Sequence, residues 1–275
     1  MEHPLVGMVS FTGSVEAGRS VIRQSARNIT PLVLELGGKS PVILLPDADL
    51  RLAVPSAMHS NFVKSGQSCV AGSRLLVHSS IYDEVCGRIA EFAKGIRVGL
   101  PTNEQSQMST LVSKRQRDNV DALVRDAVSA GATCIAGGAA ATWDPLQDGA
   151  FYQPTVLADV TDDNPAAARE AFGPMASVLK FDSVDEALDR ANSSDLGLSA
   201  QVWGNDARSI QHLVQNLEAG AVWVNTYRAA HPTLPLAGMK HSGYGTEYGF
   251  DAVLEYTRRK SVMWDLTTER PLPYA

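Results

Sequence analysis

The sequence is short of cysteine and of positive charge, and it lacks any long apolar run. Its three cysteines, Cys69, Cys86 and Cys134, are an odd number at irregular spacing, which argues against both a disulfide framework and a zinc site. No metal site is expected, and reduced thiols in a cytoplasmic compartment are the simplest reading. Lys and Arg number 24 against 30 Asp and Glu, a net charge of −6. Such a balance gives no basic face to attract nucleic acid or an anionic membrane. No stretch approaches the ~20 apolar residues of a membrane-spanning helix. The amino end, Met1-Glu-His-Pro-Leu-Val-Gly7, has neither a basic n-region nor an apolar h-region and does not read as a secretory signal. Internal repeats, low-complexity tracts and obvious flexible linkers are missing as well.

What is present is the composition of an ordinary globular protein. The 275 residues are 44% hydrophobic and 20% charged, enough for one large domain or two smaller ones with a substantial core. Short apolar segments predict strands over 6–11, 32–36, 41–45, 74–78, 132–136, 153–157, 176–181, 199–203 and 220–225. Between them, apolar residues at 3–4 residue spacing predict helices over 15–26, 49–65, 81–97, 109–130, 183–192, 207–217 and 250–257. Ser14, Asp47, Asp49 and Ser79 or Ser80 offer N-caps, and Ser183-Val-Asp-Glu186 reads as a capping box. Pro55 lacks an N–H and should kink its helix or mark an irregular first turn. Residues 228–249, rich in Gly, Pro and His, read as ordered loop, and 261–266 as a terminal strand. Alternation of this kind predicts an α/β fold with a largely parallel sheet.

Three places carry candidate chemistry. Strand, Gly13-Ser14 turn and helix together make the geometry that binds phosphate at a helix N-terminus, although many such turns bind nothing. Cys69 lies in Gly66-Gln-Ser-Cys-Val-Ala-Gly72, where bulk is missing and backbone can approach a ligand closely. A helix beginning near it would lower the thiol pKa and stabilise an oxyanion, whereas Cys86 and Cys134 read as buried small hydrophobes. A Cys–His pair has little support, because His59 lies ten residues away on a predicted helix. Glu35 sits between Leu34 and Leu36 and is followed by Gly37-Gly38. It is either a solvent-facing residue of an edge strand or a buried functional carboxylate, and the residues themselves leave both readings open.

Phe11-Thr-Gly-Ser14 with Gly18-Arg19, Leu34-Glu-Leu-Gly-Gly-Lys-Ser-Pro41, Gly66-Gln-Ser-Cys69, Glu170-Ala-Phe-Gly-Pro174, Asn192-Ser-Ser-Asp-Leu-Gly-Leu198, Val222-Trp-Val-Asn225 and Lys240-His-Ser-Gly-Tyr-Gly245 follow one another in this order. In that series the chain closely resembles the aldehyde dehydrogenase superfamily over essentially its whole length.

The resemblance implies an aldehyde-dehydrogenase-like α/β fold: a parallel-sheet catalytic domain with a partial Rossmann-type cofactor domain. Residues 1–35 would end the cofactor domain, 36–241 form the catalytic domain, 242–260 return to the cofactor domain, and 261–275 form an oligomerisation strand and tail. It implies Cys69 as nucleophile and Glu35 as general base in NAD(P)-dependent oxidation of an aldehyde to an acid through a thiohemiacetal and a thioester. The apolar flanks of Glu35 would hold its pKa nearer neutrality. Gly13, Ser14, Gly18, Leu36, Glu170 and Phe172 would meet NAD or NADP. Asn225, Tyr227, Arg228 and His231 would line the substrate entrance. The partners implied are a small-molecule aldehyde and further copies of the chain, with no nucleic acid and no membrane. Two departures stand out: Lys64 occupies a position where the family commonly has Asn, and Pro55 is unusual in the helix before the catalytic loop. The first Rossmann strands, the adenosine-ribose groups and an Asn of the oxyanion hole would precede Met1. The expectation is therefore a chain lacking the amino-terminal cofactor-domain half, with an apolar sheet edge. Its alternative function is that of an impaired remnant or assembly subunit.

Overall fold

A computed structural model describes residues 3–227 and 231–268. The first strand, β1 (Val9–Thr12), leads through Gly13 to α1 (Val15–Ser25), and the Ser14 hydroxyl accepts the Ala17 N–H at 3.2 Å as N-cap. Next come β2 (Leu32–Glu35) and β3 (Pro41–Leu44), whose residues are all buried. Asp49 caps α2 (Leu50–Phe62), which runs on through Pro55, so the expected kink gives way to one continuous helix. A 3-10 turn over Val63–Gly66 leads to the Cys69 loop and then to β4 (Arg74–His78) and α3 (Tyr82–Gly95).

The predicted helix over 109–130 begins later, as α4 (Lys114–Ser129), capped by Ser113. The preceding residues are drawn into other bonds: Ser65 Oγ donates to Ser109 O and the Val112 N–H donates to Gln67 Oε1. There follow β5 (Thr133–Ala136), β6 (Thr155–Ala158), the short α5 (Pro165–Ala168), β7 (Met175–Phe181) and α6 (Val184–Asn192). Ser183 caps α6 as the capping box predicts, while Glu186 accepts the N–H of Asp182 and not that of Ser183. The chain ends with β8 (Leu196–Gly197), β9 (Ser199–Trp203), α7 (Ala207–Asn216), β10 (Ala221–Val224), β11 (Met239–Lys240), β12 (Gly243–Tyr244) and α8 (Gly249–Glu255).

Seven strands form one sheet in the order β10-β9-β3-β4-β7-β6-β5, parallel throughout except for β5 against β6. Helices cover both faces, which is why the inner strands read as unbroken apolar runs. Val42, Leu44, Leu75, Val77 and Val178 pack under α2 and α3. Ile43, Leu76, Leu157, Leu179 and Val202 pack under α4, α5, α6 and α7. Cys134 departs from expectation: it is exposed, because β5 is the edge strand, and Cys86 is half-buried on α3.

A second sheet has the order β1-β2-β12 and carries α1 on Leu32, Leu34 and Leu36. Its strand β12 lies in the stretch read as loop, as does β11, which pairs with β8. These two-residue strands have no periodicity for sequence to show. Buried Ser242 joins the parts: its hydroxyl donates to Gly37 O at 2.7 Å and accepts the Gly197 N–H, and its carbonyl accepts the Leu36 N–H. The strand expected over 261–266 does not form among the described residues. Val262, Met263, Trp264 and Leu266 are exposed there. No helix of the described residues is long and apolar enough to cross a membrane.

Candidate active site

Glu35 ends β2, the middle strand of the small sheet, so the solvent-facing edge reading fails: the residue is 4% exposed. Its backbone carbonyl accepts the Gly13 N–H at 3.1 Å and its Oε1 has no hydrogen-bond partner. Burial, and then the nearby carboxylate of Glu247, push its pKa up to about 7. A carboxyl poised there exchanges a proton readily at neutral pH.

The turn after Glu35 reaches Cys69 directly. A Cβ on Gly38 would overlap the Cys69 carbonyl oxygen, so only glycine lets the two backbones approach this closely. Arg74, itself buried, fixes the far end of that turn through Nε to Lys39 O at 2.9 Å. Its other two nitrogens cap the Arg190 and Ala191 carbonyls at the end of α6.

Cys69 is half-buried in a loop whose approach is strained. Lys64 (φ 55°), Ser65 (φ 56°) and Gly66 (φ 71°) are all left-handed, a conformation costly for residues with a Cβ. Gly66 is wedged against the Gly173 carbonyl, where a Cβ would overlap. Burial and then the Glu35 carboxylate raise the thiol pKa, and the backbone N–H groups of Cys69 and Val70 oppose the rise. Those two N–H groups favour a negative sulfur.

Glu170 completes the convergence. Its Oε1 accepts the Gly38 N–H at 3.0 Å, and a Cβ on Gly37 would overlap its other oxygen. Burial raises its pKa, opposed by the Gly38 N–H and then by Lys39. Lys39 is buried with no hydrogen-bond partner at Nζ, and burial pulls its pKa down to about 7.

Of the residues expected to meet a dinucleotide, Gly13, Ser14 and Gly18 lie at the start of α1, Leu36 follows β2, and Glu170 and Phe172 precede β7. The N-terminus of α1 is open to solvent at Ser14, and a Cβ on Gly18 would come 2.6 Å from Leu36, so that helix sits tightly on the strand's end. Phe172 is 42% exposed and left-handed (φ 45°), held by Gln116, whose Nε2 donates to Ala171 O and Phe172 O at 2.9 and 3.0 Å. A free helix N-terminus, glycines that clear space, a half-buried carboxylate and an exposed ring suit a nucleotide with an aromatic base.

The entrance residues divide. Tyr227 packs edge-on to Trp223 and to His59, with ring centroids 5.7 and 6.0 Å away. The side chain of Asn225 is taken up by Gly204, donating to its carbonyl and accepting its N–H, which makes it a brace. His231 is exposed, its Nδ1 2.7 Å from Thr233 Oγ1. Arg228 lies outside the described residues. Sequence reasoning passed over Glu247, Lys39, Gln116 and the His59 contact. Lys39 stands inside the Leu34-Glu-Leu-Gly-Gly-Lys-Ser-Pro41 motif, but the other contacts arise from residues far apart in sequence. Among the described residues, no group of three or more His, Cys, Asp or Glu could hold a metal ion.

Comparison with known proteins places these features in context. The family model described as "Aldehyde dehydrogenase family" matches residues 1–262. A betaine aldehyde dehydrogenase of Brucella melitensis is 40% identical over 262 residues, 95% of this chain and 54% of that protein. The NAD+ complex of an aldehyde dehydrogenase from Bacillus cereus superposes with a TM-score of 0.93 at 40% identity, covering 96% of this chain and 53% of that one. A betaine aldehyde dehydrogenase from Staphylococcus aureus in complex with NAD+ gives 0.90 at 35% identity, covering 92% and 50%. The chain thus spans about half the length of the relatives it matches.

Proposed function

Because the chain belongs to the aldehyde dehydrogenase family, we propose that it forms the catalytic part of an enzyme oxidising an aldehyde to a carboxylic acid with NAD or NADP. The observation that supports this reading is the Gly37-Gly38 turn, by which the strand end carrying Glu35 lies against the Cys69 peptide and against Glu170. Residues 1–35 and 242–260 belong to the cofactor side and residues 36–241 to the catalytic side. The exposed apolar stretch around Met263 and Trp264 pairs with another copy of the chain.

In this reading the Cys69 thiolate, held by its own N–H and that of Val70, adds to the aldehyde carbon. The C–S bond forms as the carbonyl pair moves to oxygen, giving a thiohemiacetal. Gly13, Ser14, Gly18, Leu36, Glu170 and Phe172 would hold a dinucleotide, which would supply the hydride acceptor that oxidation to a thioester requires. Glu35 then takes a proton from water, the hydroxide adds to the thioester, the C–S bond breaks, and acid and thiolate separate. Its pKa of about 7 suits it to accept that proton and release it to solvent. The carboxylate of Glu170 would orient the ribose, and Tyr227, Trp223 and His59 make an aromatic rim that screens the aldehyde, with His231 exposed nearby in sequence.

The test is NADH formation from NAD+ and a panel of aldehydes. The chain is assayed alone and with a separately expressed segment matching the relatives' remaining half. Absorbance rising with either preparation, and lost in Cys69→Ala, supports the reading. No NADH in either case sinks it for this polypeptide.

A further inference from the structure

Asn61 stands on the last turn of α2, 1% exposed, and no step described above uses it. Its Nδ2 donates to Gly72 O at 3.3 Å and to Met175 O at 3.2 Å. Gly72 closes the Cys69 loop before β4 begins, and Met175 opens β7 just after the segment carrying Glu170 and Phe172. One buried amide therefore ties the exit of the nucleophile loop to the strand leaving the cofactor segment. The start of the loop is anchored separately, by Ser65 on Ser109 O and by Gly66 against Gly173. Between these anchors the loop turns around Cys69 and Val70 through Ala71 N–H to Ser68 O at 3.1 Å.

We propose that Asn61 is the positioning residue of the nucleophile: its amide fixes the exit of the Cys69 loop and with it the backbone on which the thiol is carried. The inference rests on Cys69 being the nucleophile. Both bonds from Asn61 reach backbone carbonyls inside the core, so deleting the amide leaves two buried acceptors unmet and frees the loop exit to turn. The cost falls on the thiolate, because a loop free to turn no longer holds in place the Cys69 and Val70 N–H groups that oppose the rise in its pKa.

The test is alkylation of Cys69 by iodoacetamide as a function of pH, resolved by site with mass spectrometry, in the whole chain. Asn61→Ala and the isosteric Asn61→Asp are compared with Asn164→Ala. Asn164 is an equally buried asparagine whose Nδ2 donates to the Ala127 and Ala130 carbonyls, under α4 and outside the site. The Asn61 variants are expected to move the midpoint of the Cys69 profile up by about one pH unit, close to a tenfold fall in rate at neutral pH. The Asn164 variant should leave it in place. An unchanged midpoint in the Asn61 variants, or an equal move in Asn164→Ala, overturns the proposal. Hydrogen exchange on the unmodified chain decides if neither Asn61 variant folds: amides of residues 69–72 must exchange as slowly as the end of α2, and free exchange there overturns it. A wild-type Cys69 no more reactive than exposed Cys134 would instead count against its role as nucleophile.

Discussion

Glu35 shows most plainly how burial sets chemistry at a single residue. The folded protein holds its carboxyl at about 7, above the ordinary 4.5. A raised carboxyl binds its proton more tightly in the folded chain than in the unfolded one. The stability this confers is complete below pH ~4.5 and is lost as pH climbs through ~7. Glu35→Gln removes the titration, so the variant should melt at a higher temperature than the parent at pH 8, with the gap closing toward pH 4.5. Melting curves across that range check it, and parallel curves would show that Glu35 is not held at a raised pKa. Lys64 makes a separate point. Its left-handed backbone (φ 55°, ψ 34°) suits Asn far better than Lys, and its side chain is exposed. Lys64→Asn is therefore expected to stabilise the fold by ~1 kcal/mol in urea titration.

At the scale of elements, the site depends on a turn and not on a regular structure. Gly37 and Gly38 let the end of β2 lie against Glu170 and the Cys69 peptide together. Gly38→Ala should push the Cys69 carbonyl away, cost ~1–3 kcal/mol of stability and slow alkylation of Cys69. Denaturant titration and thiol labelling read the two effects separately. The elements themselves were largely legible from sequence. The buried parallel strands announce themselves as apolar runs such as Pro41–Leu44, and caps such as Ser14 and Ser183 mark helix starts. What escaped was decided by distant partners. Residues 109–113 read as helical but are claimed by Ser65 and Gln67 of the nucleophile loop. Strands β11 and β12 are two residues long and exist because β8 and β2 lie beside them. The site followed the same rule: Cys69 and Glu35 were conspicuous by their small or apolar neighbours, whereas Asn61, Gln116 and Glu247 looked like unremarkable polar residues.

Across the whole molecule, one large sheet covered on both faces supports the Cys69 loop, and one small sheet supports Glu35 and the glycine turn after it. Ser242 and the Gly38–Cys69 contact hold the two together, so Glu35 and the Cys69 loop are carried by different sheets and come near each other only in the folded chain. The account's central claim is that Cys69 carries an acyl group which Glu35 helps water remove. Exposure to an activated ester such as p-nitrophenyl acetate, followed by site-resolved mass spectrometry, tests this in the chain without any dinucleotide. The account predicts that the parent acylates at Cys69 and returns to the free thiol. Glu35→Gln should accumulate one acyl group on Cys69 and release it ~10²-fold more slowly. Equal release from both proteins, or acylation at Cys134 with Cys69 untouched, would contradict it.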